Sequence, residues 1–255
     1  MTIDLNRRLF IKQAALGSIG LGLSCRDAFG EVQDRLHRPL IDLPILAQDG
    51  SAVPVKVSLD HPMEPSHFIR SFELALETDP VPSKGKFFFS PANGQASLAF
   101  QMRSGVGGVL KVVGECSRHG RFLGTAELRV VGGGCTAAPE KIEKERLGNP
   151  MIRLPNRFRS GDIVEARVKI DHHSSTGLIE KGGKIIRERP EFYLQTMKAY
   201  LGSEQVSEFM MTSAVSPNPL IRFPLRIQGP SILRVVFRNT EGQEWSASHP
   251  IQPAA

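Results

Sequence analysis

Four stretches of this chain place an apolar residue at every second position, and that pattern limits the fold more than any other feature. They are Val53-Pro54-Val55-Lys56-Val57-Ser58-Leu59, Ala96-Ser97-Leu98-Ala99-Phe100-Gln101-Met102, Val164-Glu165-Ala166-Arg167-Val168-Lys169-Ile170 and Ile221-Arg222-Phe223-Pro224-Leu225-Arg226-Ile227. Successive side chains on a strand point to opposite faces, so a period of two fits a sheet with one dry face and fits no helix. Turn-forming residues cut the runs at short intervals, as at Asp49-Gly50, Asn93-Gly94, Ser160-Gly161-Asp162 and Glu241-Gly242. The pattern occurs in both halves of the chain. It predicts an all-β protein of two separate immunoglobulin-like β-sandwich domains, over 40–131 and 152–253. No glycine-rich loop leads from a strand into a helix, which argues against a nucleotide-binding α/β enzyme.

Between the halves lies Val130-Val131-Gly132-Gly133-Gly134-Cys135. Gly132, Gly133 and Gly134 free the backbone from Cβ restraint, so Cys135 is expected on a flexible arm. Packing cysteines are among the most buried residues, whereas this position suits an exposed thiol that carries a group. A linker with an incidental cysteine fits the segment equally well. The charged Lys141-Ile142-Glu143-Lys144-Glu145-Arg146 and Asn149-Pro150 follow, a stretch that reads equally as one or two helical turns or as a disordered tether, and the two domains are expected to be joined by a flexible cysteine-bearing linker. Cys116 ends the β-rich Gly108–Glu115 stretch and reads as a half-buried strand residue. A Cys116–Cys135 disulfide, or a redox dithiol made of the two, stays open at this point. There is no Cys-x-x-Cys motif and no clustered His/Cys spacing, so no metal is assigned. No cofactor is assigned either. His172-His173 is a candidate pair, but neighbours on a strand face opposite ways.

The N-terminus has the form of a twin-arginine export signal. Asn6-Arg7-Arg8-Leu9-Phe10-Ile11-Lys12 precedes a weakly apolar run from Gln13 to Leu23, and Ala28-Phe29-Gly30 offers a small-x-small cleavage site. The run is too short for a membrane span, which needs roughly 20 apolar residues. Cys25 raises a lipoprotein alternative, but Gly22 stands where a lipobox has an aliphatic residue. The expected location is the periplasm. The chain of 255 residues carries a formal charge of +6, and loss of residues 1–30 removes four basic and two acidic residues. The modest positive balance suits small anions, while dispersed basic residues, two tyrosines and one tryptophan argue against nucleic-acid binding.

Ile41-Asp42-Leu43-Pro44, Asp49-Gly50 with Val53–Val57, Asp60-His61-Pro62-Met63 and Phe89-Ser90-Pro91-Ala92-Asn93-Gly94 lead in order to Cys135. This succession resembles SoxY, the sulfur-carrying subunit of the Sox thiosulfate-oxidation system. His172 with Thr176-Gly177, Gly183-Lys184-Ile185-Ile186-Arg187, Ser216-Pro217-Asn218-Pro219 and Gly242…Trp245 resemble its partner subunit SoxZ. The organisation implied is a signal peptide over 1–30, a SoxY-like sandwich over 31–135, a linker over 136–150 and a SoxZ-like sandwich over 151–255. The resemblance also implies immunoglobulin-like folds and no enzymatic activity of its own. Cys135 would carry small sulfur anions as covalent adducts. The partners implied are a haem enzyme that couples thiosulfate to the cysteine, a sulfate thiohydrolase and a sulfane dehydrogenase. Arg118, His119, Arg121 and Arg129 precede the arm and are candidates to steady an anionic sulfonate, Arg121 and Arg129 foremost, although a solvated strand face is the simpler explanation.

Two departures from the family pattern bear on that expectation. SoxY ends in Gly-Gly-Cys-Gly-Gly at a free C-terminus, whereas Cys135 is tethered on both sides and followed by Thr136-Ala137. A loop of ~15 residues still spans roughly 20 Å as a coil, but both its strands must fit wherever Cys135 enters. A second alternative is therefore a carrier or accessory protein for a periplasmic quinoprotein dehydrogenase. A third is a structural periplasmic β-sandwich protein.

Overall fold

Residues that alternate in sequence alternate in burial. The computed structural model describes residues 35–131 and 147–254. The first half contributes β1 (Leu40–Asp42), β2 (Leu46–Ala47), β3 (Val53–Leu59), β4 (Ile69–Leu76), β5 (Ser83–Phe89), β6 (Ala96–Met102), β7 (Gly107–Cys116) and β8 (Gly120–Val130). The second contributes β9 (Gly148–Arg153), β10 (Ile163–Asp171), β11 (Leu178–Lys181), β12 (Lys184–Arg187), β13 (Leu194–Leu201), β14 (Glu204–Met210), β15 (Leu220–Arg226), β16 (Ser231–Asn239) and β17 (Glu244–Ile251). All four alternating stretches are strands, the last of them ending at Arg226, one residue before Ile227. In β3, Val53, Val55, Val57 and Leu59 point inward while Pro54 and Lys56 are exposed.

The protein is all-β, as expected, and its strands stack as a sandwich. Each half contributes strands to both layers, as a sandwich does, but the two halves join edge to edge and do not stand apart. One six-stranded sheet runs β1-β3-β6-β15-β10-β9 and one nine-stranded sheet runs β17-β16-β13-β14-β5-β4-β7-β8-β2. Both sheets therefore cross the boundary between the halves. Antiparallel β5 and β14 pair Phe89 with Ser207 and Phe87 with Phe209. In the other layer β6 meets β15 at Ala99 and Arg222. The rings of Phe87, Phe100, Phe209 and Phe223 pack across the same line, with Phe100 and Phe209 centroids 5.0 Å apart. β11 and β12 form a small hairpin outside both sheets.

The segment Phe89–Gly94 clasps this boundary. A 3₁₀ turn at Pro91–Asn93 buries Asn93, whose amide nitrogen donates to Ser207 Oγ and to the Pro224 carbonyl, each at 2.8 Å. Its Oδ1 accepts from the Ser90 N–H at 2.8 Å. A polar side chain buried at a seam is stable only when its groups are satisfied, and here they are. The Ser216–Pro219 loop adds a second clasp: Ser216 Oγ donates to the Ser51 carbonyl at 2.7 Å, and its N–H donates to the Gln101 carbonyl at 3.0 Å.

His172 lies just beyond β10, fully buried, and its ring stacks on Phe192 with centroids 4.8 Å apart. His173 lies on the same side and also meets Phe192, because the chain has left the strand and the expected opposite facing no longer applies. Burial, followed by the neighbouring His173, pushes the His172 imidazole down to about 4. The unfolded chain takes up a proton near pH 6.5 and the folded one resists it, so this group's contribution to stability is complete above about pH 6.5. It is lost as pH falls from about 6.5 to about 4, by about 3 kcal/mol. Chemical denaturation across that range is expected to show a steeper loss for the native protein than for His172→Gln. Parallel curves would refute the assignment.

Candidate functional site

β8 carries the chain to the start of the cysteine arm. Its end is pinned: β2 pairs with it in parallel, Leu46 opposite Arg129 and Ala47 opposite Val130, and the Val131 N–H donates to the Ala47 carbonyl at 2.9 Å. Gly132, Gly133, Gly134 and Cys135 lie outside the described residues. Arg129 is exposed on β8 near the arm and pairs with Glu127 at 3.3 Å. Arg121 is exposed too, paired with Glu73 at 3.8 Å, but it sits eight residues earlier on the strand. At ~3.3 Å per residue the two guanidinium groups start from backbone positions roughly 26 Å apart. The two therefore start too far apart to meet one anion, and of them Arg129 is the one near the arm.

The other end of the same strand holds a group of side chains that sequence reasoning missed. His37, His61, His67, Cys116 and His119 each direct one donor atom into a space where all five lie within 4.8 Å of one another. Loops from both layers build it. His37 precedes β1, His61 follows β3, His67 precedes β4, Cys116 ends β7, and His119 sits in the turn to β8. The rings form a closed circuit. Centroids are 5.2 Å apart for His37–His61, 4.5 Å for His61–His67, 4.8 Å for His67–His119 and 5.0 Å for His119–His37. Cys116 Sγ lies 3.5 Å from His61 Nε2 and 3.6 Å from His119 Nδ1.

Backbone and neighbouring side chains hold the group in place. His61 Nδ1 donates to the Pro62 carbonyl at 2.7 Å, which leaves the Nε2 lone pair aimed inward. The Arg118 N–H donates to Cys116 Sγ at 3.5 Å. The two loops are tied together by Phe68 N–H to Ser117 Oγ at 3.0 Å and Ser117 N–H to the Phe68 carbonyl at 2.9 Å. Arg118 Nε adds a bond to the Ser66 carbonyl at 3.0 Å. Phe122 supports His37, with ring centroids 5.0 Å apart, and lies over Gly114, where there is no room for a Cβ. Burial, then the neighbouring imidazoles, pull the His61 ring below the usual histidine range; its bond to Pro62 partly opposes this. Burial also lowers His67, reinforced by His119, Arg118 and His37.

No metal is assigned from the sequence, yet the fold assembles a donor set that could hold one, and Cys116 is a buried member of it and not a half-buried strand residue. Cys116-Ser117-Arg118-His119 and the His61/His67 pair were the local signals; His37 had none. A dithiol with Cys135 is also out of reach. β8 covers roughly 33 Å, whereas the five residues from Val130 to Cys135 extend at most ~18 Å. Cys116 is a free thiol.

Residues 26–135 match the family model of the sulfur oxidation protein SoxY, and residues 152–250 match that of the sulphur oxidation protein SoxZ. No curated protein matches the chain. Among solved structures, part of the chain is similar to the superoxide reductase (neelaredoxin) from Ignicoccus hospitalis. That likeness has 29% identity, covers 37% of this chain and 81% of that one, and has a TM-score of 0.35. A variant of the same reductase is 27% identical, covers 40% of this chain and 87% of that one, and has a TM-score of 0.38.

Proposed function

Because the chain is a SoxY–SoxZ fusion and belongs with the Sox carrier proteins of sulfur oxidation, we propose that it is exported to the periplasm and holds sulfur intermediates covalently on Cys135. One observation carries the reading: the SoxY match ends on Cys135, directly after Gly132-Gly133-Gly134. The fold supports it, since the pairing of β8 with β2 stops at Val130 and the arm starts where the sheet ends. The nucleophile is the thiolate, the form that attacks sulfur. In the coupling step an S–S bond forms between Cys135 Sγ and the outer sulfur of thiosulfate. Two electrons leave to a haem partner. Water then cleaves the sulfonate as sulfate, and the remaining sulfane sulfur stays on the cysteine for a dehydrogenase to oxidise. The protein supplies tethering and presentation, and its partners supply the redox and hydrolytic chemistry.

Intact-mass spectrometry of protein from cells oxidising thiosulfate tests this. The wild type is expected to bear adducts that a thiol reductant removes. Cys135→Ser abolishes them with little effect on folding, whereas Cys116→Ser retains them and loses some stability. Adducts that persist on Cys135→Ser would sink the proposal. Fractionation of the same cells checks the location: replacing Arg7 and Arg8 by lysine is expected to leave unprocessed precursor in the cytoplasm, and normal delivery of that variant would contradict a twin-arginine signal.

A further inference from the structure

We propose that His37, His61, His67, His119 and Cys116 form a mononuclear metal centre for divalent iron, distinct from the carrier cysteine. The donor spacing fits a single ion. Two donors on opposite sides of a first-row metal, each at about 2.1–2.3 Å, are about 4.2–4.6 Å apart, and the whole set here spans 4.8 Å. The circuit of four rings with the sulfur against two of them is the arrangement that places four imidazole nitrogens and one thiolate around one ion.

The surroundings have the form of a ligand's support. His61 gives its second nitrogen to a backbone carbonyl, the contact that orients metal-bound imidazoles and makes them more basic. Cys116 Sγ receives the Arg118 backbone N–H, a bond that holds the sulfur in place beside the rings. His67 Nε2 is buried and meets no hydrogen-bond partner among the described residues, which a bound cation would remedy. A packing explanation leaves that nitrogen unsatisfied. It also gives no reason for five donor atoms to converge from three separate segments of chain.

Donor chemistry selects the metal. Imidazole suits zinc, copper, iron and nickel, and thiolate suits zinc, copper(I) and iron–sulfur chemistry. Structural zinc sites close with four ligands, and copper–thiolate electron-transfer sites take two imidazoles with one cysteine. Five protein donors, four of them imidazole, exceed both patterns. Iron(II) accepts five and keeps a sixth position for a small exogenous ligand. His119 is exposed, so one side of the set is open to solvent.

The test uses the full processed chain, stripped of metal with a chelator and titrated anaerobically with iron(II), zinc(II) and, as a spectroscopic probe, cobalt(II). Expected are one iron per chain by elemental analysis, a raised thermal midpoint on loading, and a thiolate-to-cobalt charge-transfer band. Cys116→Ser abolishes the band. His119→Gln, an exposed substitution that spares the core, weakens iron binding roughly tenfold or more. Cys135→Ser and His173→Gln leave binding unchanged, which separates this centre from the carrier. Iron binding unaffected by both Cys116→Ser and His119→Gln would overturn the site. Tight four-coordinate zinc with no iron uptake would overturn the metal.

Discussion

Asp79→Ala is expected to destabilise the protein by about 3–5 kcal/mol and to lower its melting midpoint by on the order of 10 °C. Asp79 and Lys84 form an ion pair at 2.6 Å with both side chains fully buried. Lys84 Nζ also donates to the carbonyls of Val81 at 2.9 Å and Arg103 at 2.8 Å. The other Asp79 oxygen accepts from Ser104 Oγ and from the N–H groups of Gly105 and Val106, at 2.8–3.1 Å. The pair closes the β4–β5 turn onto the segment between β6 and β7. Removing the carboxylate strands an ammonium in the interior, whereas removing both charges does not. Asp79→Ala combined with Lys84→Met should therefore cost less than the sum of the single changes. Additive losses in denaturant titrations would show that the two charges do not act as a pair.

The second large effect concerns the shared sheets. Phe209→Ala is expected to cost about 3–5 kcal/mol, as for a large aromatic side chain removed from a closed core. Phe209 is fully buried in β14 but touches Phe87 and Phe100 of the other half. Its loss should therefore lower one cooperative transition for the whole chain. Calorimetry is the check. Two resolved transitions, only one of them moved by Phe209→Ala, would mean that the halves fold independently.

The strand content was legible because each sandwich strand keeps one wet and one dry face, and Val53–Leu59 shows it residue by residue. The joining of the halves was not. β5 ends in Phe87-Phe88-Phe89, a continuous apolar run that suits a central strand but does not name its neighbour. The Phe89–Gly94 segment was visible as a family likeness, yet its work at the seam depends on Ser207 and Pro224, more than a hundred residues away. The donor cluster hid for a similar reason. Metal-ligand motifs are read as local spacings, and here the fold brings together His37, the His61–His67 loop and the Cys116–His119 turn. Arg121 and Arg129 illustrate the opposite case: close in sequence, they lie on an extended strand that holds them far apart.

The pairing of β5 with β14 also bears on dilution. Two polypeptides that complete each other's sheets separate when their concentration falls below the dissociation constant, and each then shows an unpaired strand edge. Residues 132–146 instead connect β8 to the second half within one polypeptide, so the two edges meet at an effective concentration set by the connection and not by the amount of protein in solution. Assembly becomes first order, and the ratio of the halves is fixed at one to one by translation.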